Sequence, residues 1–179
     1  MSEHDRQIPP PCDRPGDFDP LVGSWHVTHR RLRSRLTGCD EWDEFTGTST
    51  TSVILDGFGV VEDNWIDLPG DPYRALALRT YDPSDGCWAI WWCDSRNPHH
   101  LAPPVIGRFD DGTGTFRGDD TIDGQPAAVR FIWSGVVTPT PRWEQAFSTD
   151  GGITWETNWT MDFTRADRPL MVSPPPSAR

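Results

Sequence analysis

The sequence predicts an all-β protein, a closed antiparallel up-and-down β-barrel of about ten strands. Turn signals recur at short intervals along the middle of the chain, and several of the segments between them alternate apolar and polar residues. No segment of useful length carries the 3.6-residue period of a helix. Closing a meander of hairpins into a barrel removes exposed sheet edges. A two-sheet sandwich is the alternative, because turn spacing alone does not separate the two architectures.

Nine turns divide the predicted core. Five are Asp-Gly pairs, which suit tight hairpins because both residue types tolerate a positive φ; they begin at Asp56, Asp85, Asp111, Asp123 and Asp150. The other four breaks fall at 37–40, 69–72, 97–104 and 139–141. The predicted strands are therefore, in chain order, 22–35, 42–55, 58–66, 74–82, 87–94, 104–110, 114–121, 127–137, 142–148 and 153–164.

One barrel domain is expected over 20–165, between two tails. Residues 1–19 and 166–179 carry proline runs and little apolar content, which predicts disorder at both ends. The N-terminal segment has no apolar run typical of a signal peptide, and no stretch approaches the roughly 18 apolar residues of a membrane helix. We therefore expect a cytoplasmic protein without a membrane partner, with its four cysteines as free thiols.

The charge balance argues against a polyanionic partner. The formal net charge is −11, which opposes nucleic-acid phosphates and anionic membranes. We accordingly predict that the protein binds no nucleic acid.

Alternation on single strands predicts which aromatic side chains face inward. In the segment 153–164, Trp155, Thr157 and Trp159 share a face, opposite Glu156 and Asn158. Similar alternation applies to the strands of Trp25 and Trp143. The indoles expected to point inward are Trp25, Trp65, Trp92, Trp143, Trp155 and Trp159. Filling of the core is the simpler interpretation for each one, but ten tryptophans are more than a dry core would need, and pocket walls are mainly apolar and aromatic.

A few polar residues fall on or near the same faces. Arg31, Gln145 and Thr157 lie on apolar-rich faces of strands expected to be neighbours, and Asp94 ends the strand of Trp92 next to Arg96. These four residues form the predicted ligand-binding set together with five of the six indoles, namely Trp25, Trp65, Trp92, Trp143 and Trp159. Solvated ion pairs at a barrel mouth are the alternative interpretation for the charged members.

His29 is the one candidate for catalysis. It shares the inward face of Trp25, and its ordinary pKa near 6.5 makes it the best general acid or base in the predicted core. No metal or cofactor is expected, because no histidine, cysteine or carboxylate spacing completes a metal site and no glycine-rich phosphate loop occurs between a strand and a helix.

One strand predicts an additional contact. The segment 87–94 is apolar on both faces. One face packs into the barrel interior, so the outward face is expected to be buried by another part of the protein or by a partner. A tail, a loop or a second subunit could cover it, and the last option predicts a homodimer.

Two sets of residues carry a family resemblance. The opening Leu21-Val22-Gly23-Ser24-Trp25 resembles the Gly-x-Trp start of lipocalins and related calycins, in which the tryptophan plugs the narrow end of the barrel. The segments WAIWWCDSR, LAPPVIGRFDDGTGTF and RWEQAFSTDGGITWETNWTMDFTR resemble a group of bacterial proteins with a lipocalin-like domain of unknown function. The resemblance covers about 18–165 and implies a calycin-type barrel with an internal cavity, but no reaction.

These observations favour binding of an apolar or aromatic small molecule in a tryptophan-lined cavity. Two alternatives stay open at this point. One is a cofactor-free cyclase or isomerase acting on a polyketide-like or other natural-product substrate in the same cavity, since preorganisation alone accelerates some reactions. The other is a non-catalytic scaffold or dimerisation module with a filled barrel.

Overall fold

Ten antiparallel strands close on themselves in the structure, a computed structural model that describes residues 15–122 and 124–167. Each strand pairs with its neighbours in the chain, and β1 also pairs with β10, so the prediction of a closed up-and-down barrel is confirmed and the sandwich is excluded. The strands are β1 (Gly23–Leu32), β2 (Trp42–Ile54), β3 (Gly59–Ile66), β4 (Tyr73–Asp82), β5 (Cys87–Asp94), β6 (Val105–Asp110), β7 (Thr113–Ile122), β8 (Gln125–Ser134), β9 (Arg142–Ser148) and β10 (Glu156–Arg165).

The Asp-Gly turns join strands as their sequence predicts. Asp56 and Asp111 have positive φ angles of 53° and 46°, and the glycines after them are also in the left-handed region. Asp123 lies outside the described residues. The turn at Asp150 has an extra stabilising feature: its carboxylate accepts hydrogen bonds from Ser148, Ile153 and Thr154, and the Thr154 bonds above all hold the pKa of Asp150 well below its usual range.

The end of the barrel at which β1 begins is closed by large side chains. A short 3-10 turn over Asp19–Leu21 leads into β1, and the Trp25 indole donates to the Leu21 carbonyl at 2.7 Å. The ring of Phe18 is fully buried, with its centroid 4.9 Å from that of Trp88. The sequence placed Phe18 in the N-terminal tail, but its ring packs into the core, so the barrel domain begins at or before residue 18. Residues 1–14 and 168–179 of the predicted tails lie outside the described residues.

Two smaller points complete the fold. Within the described part of the chain, no helix has the length and apolar character needed to cross a membrane. Cys39, Cys87 and Cys93 are free thiols, whereas Cys12 lies outside the described residues.

Candidate functional site

A cavity opens at the other end of the barrel, where β1 ends and β2 begins. This mouth cavity has a volume of about 100 Å³. Strands β5 to β10 and the loop between β5 and β6 supply its walls. Its lining consists of Ile90, Trp92, Ala102, Pro103, Val105, Asp119, Asp120, Val129, Phe131, Trp143, Gln145 and Trp159. The lining is mainly apolar and aromatic, with a few polar groups, which is the usual composition of a small-molecule site.

Edge-to-face contacts fix the rings of the cavity. The Trp159 ring meets Trp143 at a centroid distance of 5.5 Å and an interplanar angle of 85°, and it meets Trp92 at 5.9 Å and 82°. Phe131 packs on Trp143 at 4.9 Å. Such arrangements place the positive edge of one ring on the negative face of the next, and each contributes beyond its buried area. The wall is therefore held in one arrangement.

His29 lies behind this wall. Its Nδ1 accepts a hydrogen bond from the Trp159 indole at 3.2 Å, and its ring stacks on Phe45 with centroids 4.8 Å apart. The side chain is buried, and burial, reinforced by the positive charge of Arg31, lowers the pKa of His29 to about 4. His29 does not line the mouth cavity, and its ring nitrogen that could accept a proton already holds Trp159. The geometry thus gives it a positioning role, and a catalytic role stays a prediction.

A β-bulge in β10 rearranges the predicted polar set. The pairing with β9 shifts between Thr157 and Trp159, so that Gln145 pairs with Trp159 and Ala146 pairs with Thr157. Gln145 lines the mouth cavity and donates to the Asn158 Oδ1 at 2.8 Å. Thr157 lies on the face opposite Gln145, so the inward orientation expected for it from simple alternation is wrong.

The rim of the mouth carries a charged cluster. Arg31 lies over the Trp159 ring at 4.8 Å, and its guanidinium interacts electrostatically with Tyr73. Asp94 accepts hydrogen bonds from two guanidinium nitrogens of Arg96. The guanidinium carbon of Arg96 lies 3.6 Å from the centroid of the Tyr73 ring. The Arg96 bonds lower the pKa of Asp94, and burial is the main cause of the raised pKa of Tyr73. The structure thus places Arg31 and Asp94 beside one tyrosine above the aromatic wall.

The remaining sequence-predicted indoles lie elsewhere. Trp25 belongs to the closed end. Trp65 pairs with Arg74 on the outer face of β3, alternating with the buried Asn64 and Ile66, so the inward orientation expected for it is wrong. Trp155 immediately precedes β10 and lies on the outside of the barrel, where the Arg130 guanidinium is 4.4 Å from its ring centroid. The inward orientation expected for Trp155 is therefore also wrong.

A second, smaller cavity lies deeper in the barrel, and sequence reasoning missed most of its lining. This deep cavity has a volume of about 20 Å³ and shares Ile90, Trp92, Phe131 and Trp143 with the mouth cavity. Glu62 and Arg79 also line it and form an ion pair in which both side chains are 3% exposed. Ser49 donates to the Glu62 Oε1 at 3.0 Å, and Arg79 lies between the rings of Phe18 and Trp133.

The sequence pattern of β3 and β4 predicts inward positions for Glu62 and Arg79 only if polar side chains are allowed to face the barrel interior. Val60, Glu62, Asn64 and Ile66 share the inward face of β3. Two of the four are polar, so the stripe resembles a solvent face. Once the closed barrel is known, the inward register becomes unambiguous.

The described residues contain no group of three or more His, Cys, Asp or Glu side chains that could hold a metal ion. His99 and His100 are exposed in the loop after β5.

The outer face around β5 is partly open. Ile106 is 51% exposed and Leu76 is 36% exposed, beside the half-buried Trp91. A homodimer contact on this face stays a prediction.

Fold and site together define a class: closed ten-stranded antiparallel barrels with an aromatic cavity at one end. The chain belongs to the family described as "Protein of unknown function (DUF1579)", whose model matches residues 18–165 and so covers nearly the whole barrel. No curated protein matches the chain.

Proposed function

We propose that this protein binds a small apolar or aromatic molecule in the mouth cavity. The observation that carries the proposal is a cavity walled by Trp92, Trp143 and Trp159, three indoles held edge to face and open to the end of the barrel. Burial of apolar ligand surface against such a wall supplies the driving force, and aromatic contacts add orientation.

The volume of the cavity limits the size of the ligand. A buried apolar cavity of about 150 Å³ is known to hold a benzene molecule. The mouth cavity has about 100 Å³, so it takes at most one ring or a short apolar chain, with the rest of the molecule extending through the mouth. A polycyclic ligand would therefore be held by one ring only.

Polar groups around the cavity support orientation of the ligand. Gln145 is anchored by Asn158, and Asp119 and Asp120 complete the lining. Because polar groups in pockets fix direction while apolar walls supply affinity, a ligand with one oxygen or nitrogen function fits this site better than a pure hydrocarbon.

The lipocalin-like relationship is part of this proposal. Trp25 follows Gly23 in the first strand and packs at the closed end with its indole bonded to Leu21, which resembles the tryptophan plug of calycins. A calycin-type relationship predicts ligand entry through the opposite end, which is where the mouth cavity opens.

Nuclear magnetic resonance of the tryptophan indole N–H groups tests the proposal directly. Ethylbenzene is titrated into the ¹⁵N-labelled full chain as a single-ring probe. We expect saturable shifts of the signals from Trp92, Trp143 and Trp159, while the outer-face Trp65 and Trp155 stay unmoved. Absence of any saturable shift with this probe up to its solubility limit would contradict binding in the mouth cavity.

Matched variants locate the binding energy. Trp159→Ala should weaken probe binding more than Trp159→Phe, because phenylalanine keeps a flat apolar wall and alanine removes it. Trp65→Ala removes an indole of the same size from the outer face and should leave binding unchanged. Equal weakening in Trp65→Ala and Trp159→Ala would mean that the effect comes from global destabilisation.

A further inference from the structure

The inward faces of β3 and β4 carry buried polar groups that their surroundings do not fully satisfy. Among the described residues, Arg79 Nε and Nη1 have no hydrogen-bond partner, and neither polar atom of the Asn64 amide has one. Arg79 is 2% exposed and Asn64 is 1% exposed. Buried donors without partners cost free energy, so a site that keeps them is expected to give them a partner in its working state.

The deep cavity is bordered by Arg79 and shares part of its lining with the mouth cavity. Arg79 and Glu62 form part of its wall, and Trp92, Phe131 and Trp143 border both cavities. A molecule on these three rings in the mouth cavity therefore contacts side chains that also border the deep cavity, whose wall includes Arg79.

The size of the deep cavity limits what that end can be. A space of about 20 Å³ suffices for roughly one water-sized group, since such a group needs about 10–15 Å³ on the same measure. A single oxygen function fits there, and a second ring does not.

The charges around Arg79 decide the character of the group. Glu62 already bonds Arg79, so the guanidinium and its carboxylate are neutral as a pair. An anionic head group would place a second negative charge against one guanidinium in a buried site, which is costly. A neutral acceptor such as a carbonyl oxygen accepts from Arg79 without adding charge.

We propose that the ligand is a single-ring or short-chain molecule carrying a neutral carbonyl oxygen, which enters the deep cavity and accepts hydrogen bonds from Arg79 while the apolar part lies on the mouth-cavity indoles. This inference rests on the proposed function, because it names the class of ligand for that same site.

Three probes of similar size separate the elements of this proposal. Acetophenone carries the neutral carbonyl, ethylbenzene replaces it with methylene, and benzoate replaces it with an anion. We expect acetophenone to bind the full chain at least about tenfold more tightly than ethylbenzene, the effect of a hydrogen bond to a charged donor. Benzoate should bind more weakly than acetophenone. Calorimetry gives the affinities, and the Arg79 Nε–H signal should shift with acetophenone only.

The outcomes distinguish this inference from the proposed function. If ethylbenzene and acetophenone bind equally and both move the Trp159 indole signal, the cavity binds ligands but a water molecule satisfies Arg79, and the inference is overturned. Tighter binding of benzoate than of acetophenone would overturn the neutral head group. If none of the probes binds, both proposals fail together.

A paired substitution removes the polar group without leaving a lone buried charge. Glu62→Leu with Arg79→Met replaces the ion pair with apolar side chains of similar size, a change that buried pairs often tolerate. In this double variant, acetophenone should lose its preference over ethylbenzene while ethylbenzene still binds. Ser49→Ala, which removes only the hydroxyl bonded to Glu62, should keep the preference. A preference that survives the double variant would overturn the role of Arg79.

Discussion

The barrel interior has two unlike walls, and they differ in how they are stabilised. The aromatic wall, formed by Trp92, Phe131, Trp143 and Trp159 on β5 and β8–β10, is held by edge-to-face contacts. The polar wall, formed by Ser49, Glu62, Asn64 and Arg79 on β2–β4, is held by an ion pair and a hydroxyl bond.

Under the proposed function, affinity and selectivity for a ligand would come from different walls of the barrel interior. Apolar burial is non-directional and tolerates a range of ligand shapes. Buried hydrogen-bonding groups are directional and penalise a ligand that leaves them unpaired. A ligand bound as proposed would therefore gain affinity from the aromatic wall and be selected by the polar wall.

The largest expected effect comes from breaking the ion pair of the polar wall on one side. Arg79→Met leaves the Glu62 carboxylate buried and unpaired, and this type of change costs roughly 3–5 kcal/mol of unfolding free energy. Urea denaturation measures the loss. The double variant with Glu62→Leu is the control and should recover most of it. Equal losses in the single and double variants would show that packing, and not charge, stabilises the polar wall.

The two walls also differ in how well the sequence predicts them. On β9, apolar residues face inward, so alternation places Trp143 correctly. On β3 and β4 the pattern is inverted, because Trp65, Leu76 and Leu78 face outward while Glu62 and Arg79 face inward. Local hydrophobicity assigns such strands to the wrong face, and only closure of the barrel corrects it.

The bulge in β10 marks another limit of sequence-based prediction. Ten strands follow from turn chemistry and alternation, and the predicted bounds of 87–94 and 142–148 agree with the structure at both ends. The register shift after Thr157, by contrast, depends on pairing with β9, and no local sequence pattern predicts it. The deep cavity likewise depends on contacts between strands far apart in the chain.

The next effect concerns His29, which supports the aromatic wall from behind. Its pKa of about 4 in the folded protein lies below the ordinary 6.5 of the unfolded chain, so folding favours neutral His29. The unfolding free energy is therefore unaffected by His29 above pH 6.5 and declines as the pH falls towards 4, where the loss amounts to roughly 3 kcal/mol. Urea denaturation between pH 7.5 and 4.5 should show a steeper decline for the wild type than for His29→Gln. Parallel declines would contradict burial of His29 as a neutral group.

A smaller effect is expected from the aromatic wall itself. Trp159→Ala should cost roughly 2 kcal/mol, about half of the 3–5 kcal/mol typical of a fully packed tryptophan, because one side of Trp159 already borders the mouth cavity. Trp25→Ala at the closed end is the matched reference and should show the full loss. Both are measured by urea denaturation at pH 7.5. A loss in Trp159→Ala as large as in Trp25→Ala would identify the indole as core filling, and the filled-scaffold interpretation would then gain over ligand binding.

The smallest effect should come from Trp65, one of the two indoles that alternation assigned to the wrong face. Its ring lies outside the barrel, with the Arg74 guanidinium 5.9 Å from its centroid, so truncation removes a cross-strand contact and opens no cavity. Cross-strand pairs of this kind contribute roughly 0.2–1 kcal/mol, and Trp65→Ala should therefore cost about 1 kcal/mol or less in urea denaturation. Because the substitution matches Trp159→Ala atom for atom, the difference between the two variants isolates what an inward position adds. A loss above about 2 kcal/mol for Trp65→Ala would mean that the outer face of β3 is packed against another surface in solution, and a dependence of that loss on protein concentration would identify the surface as a second copy of the chain.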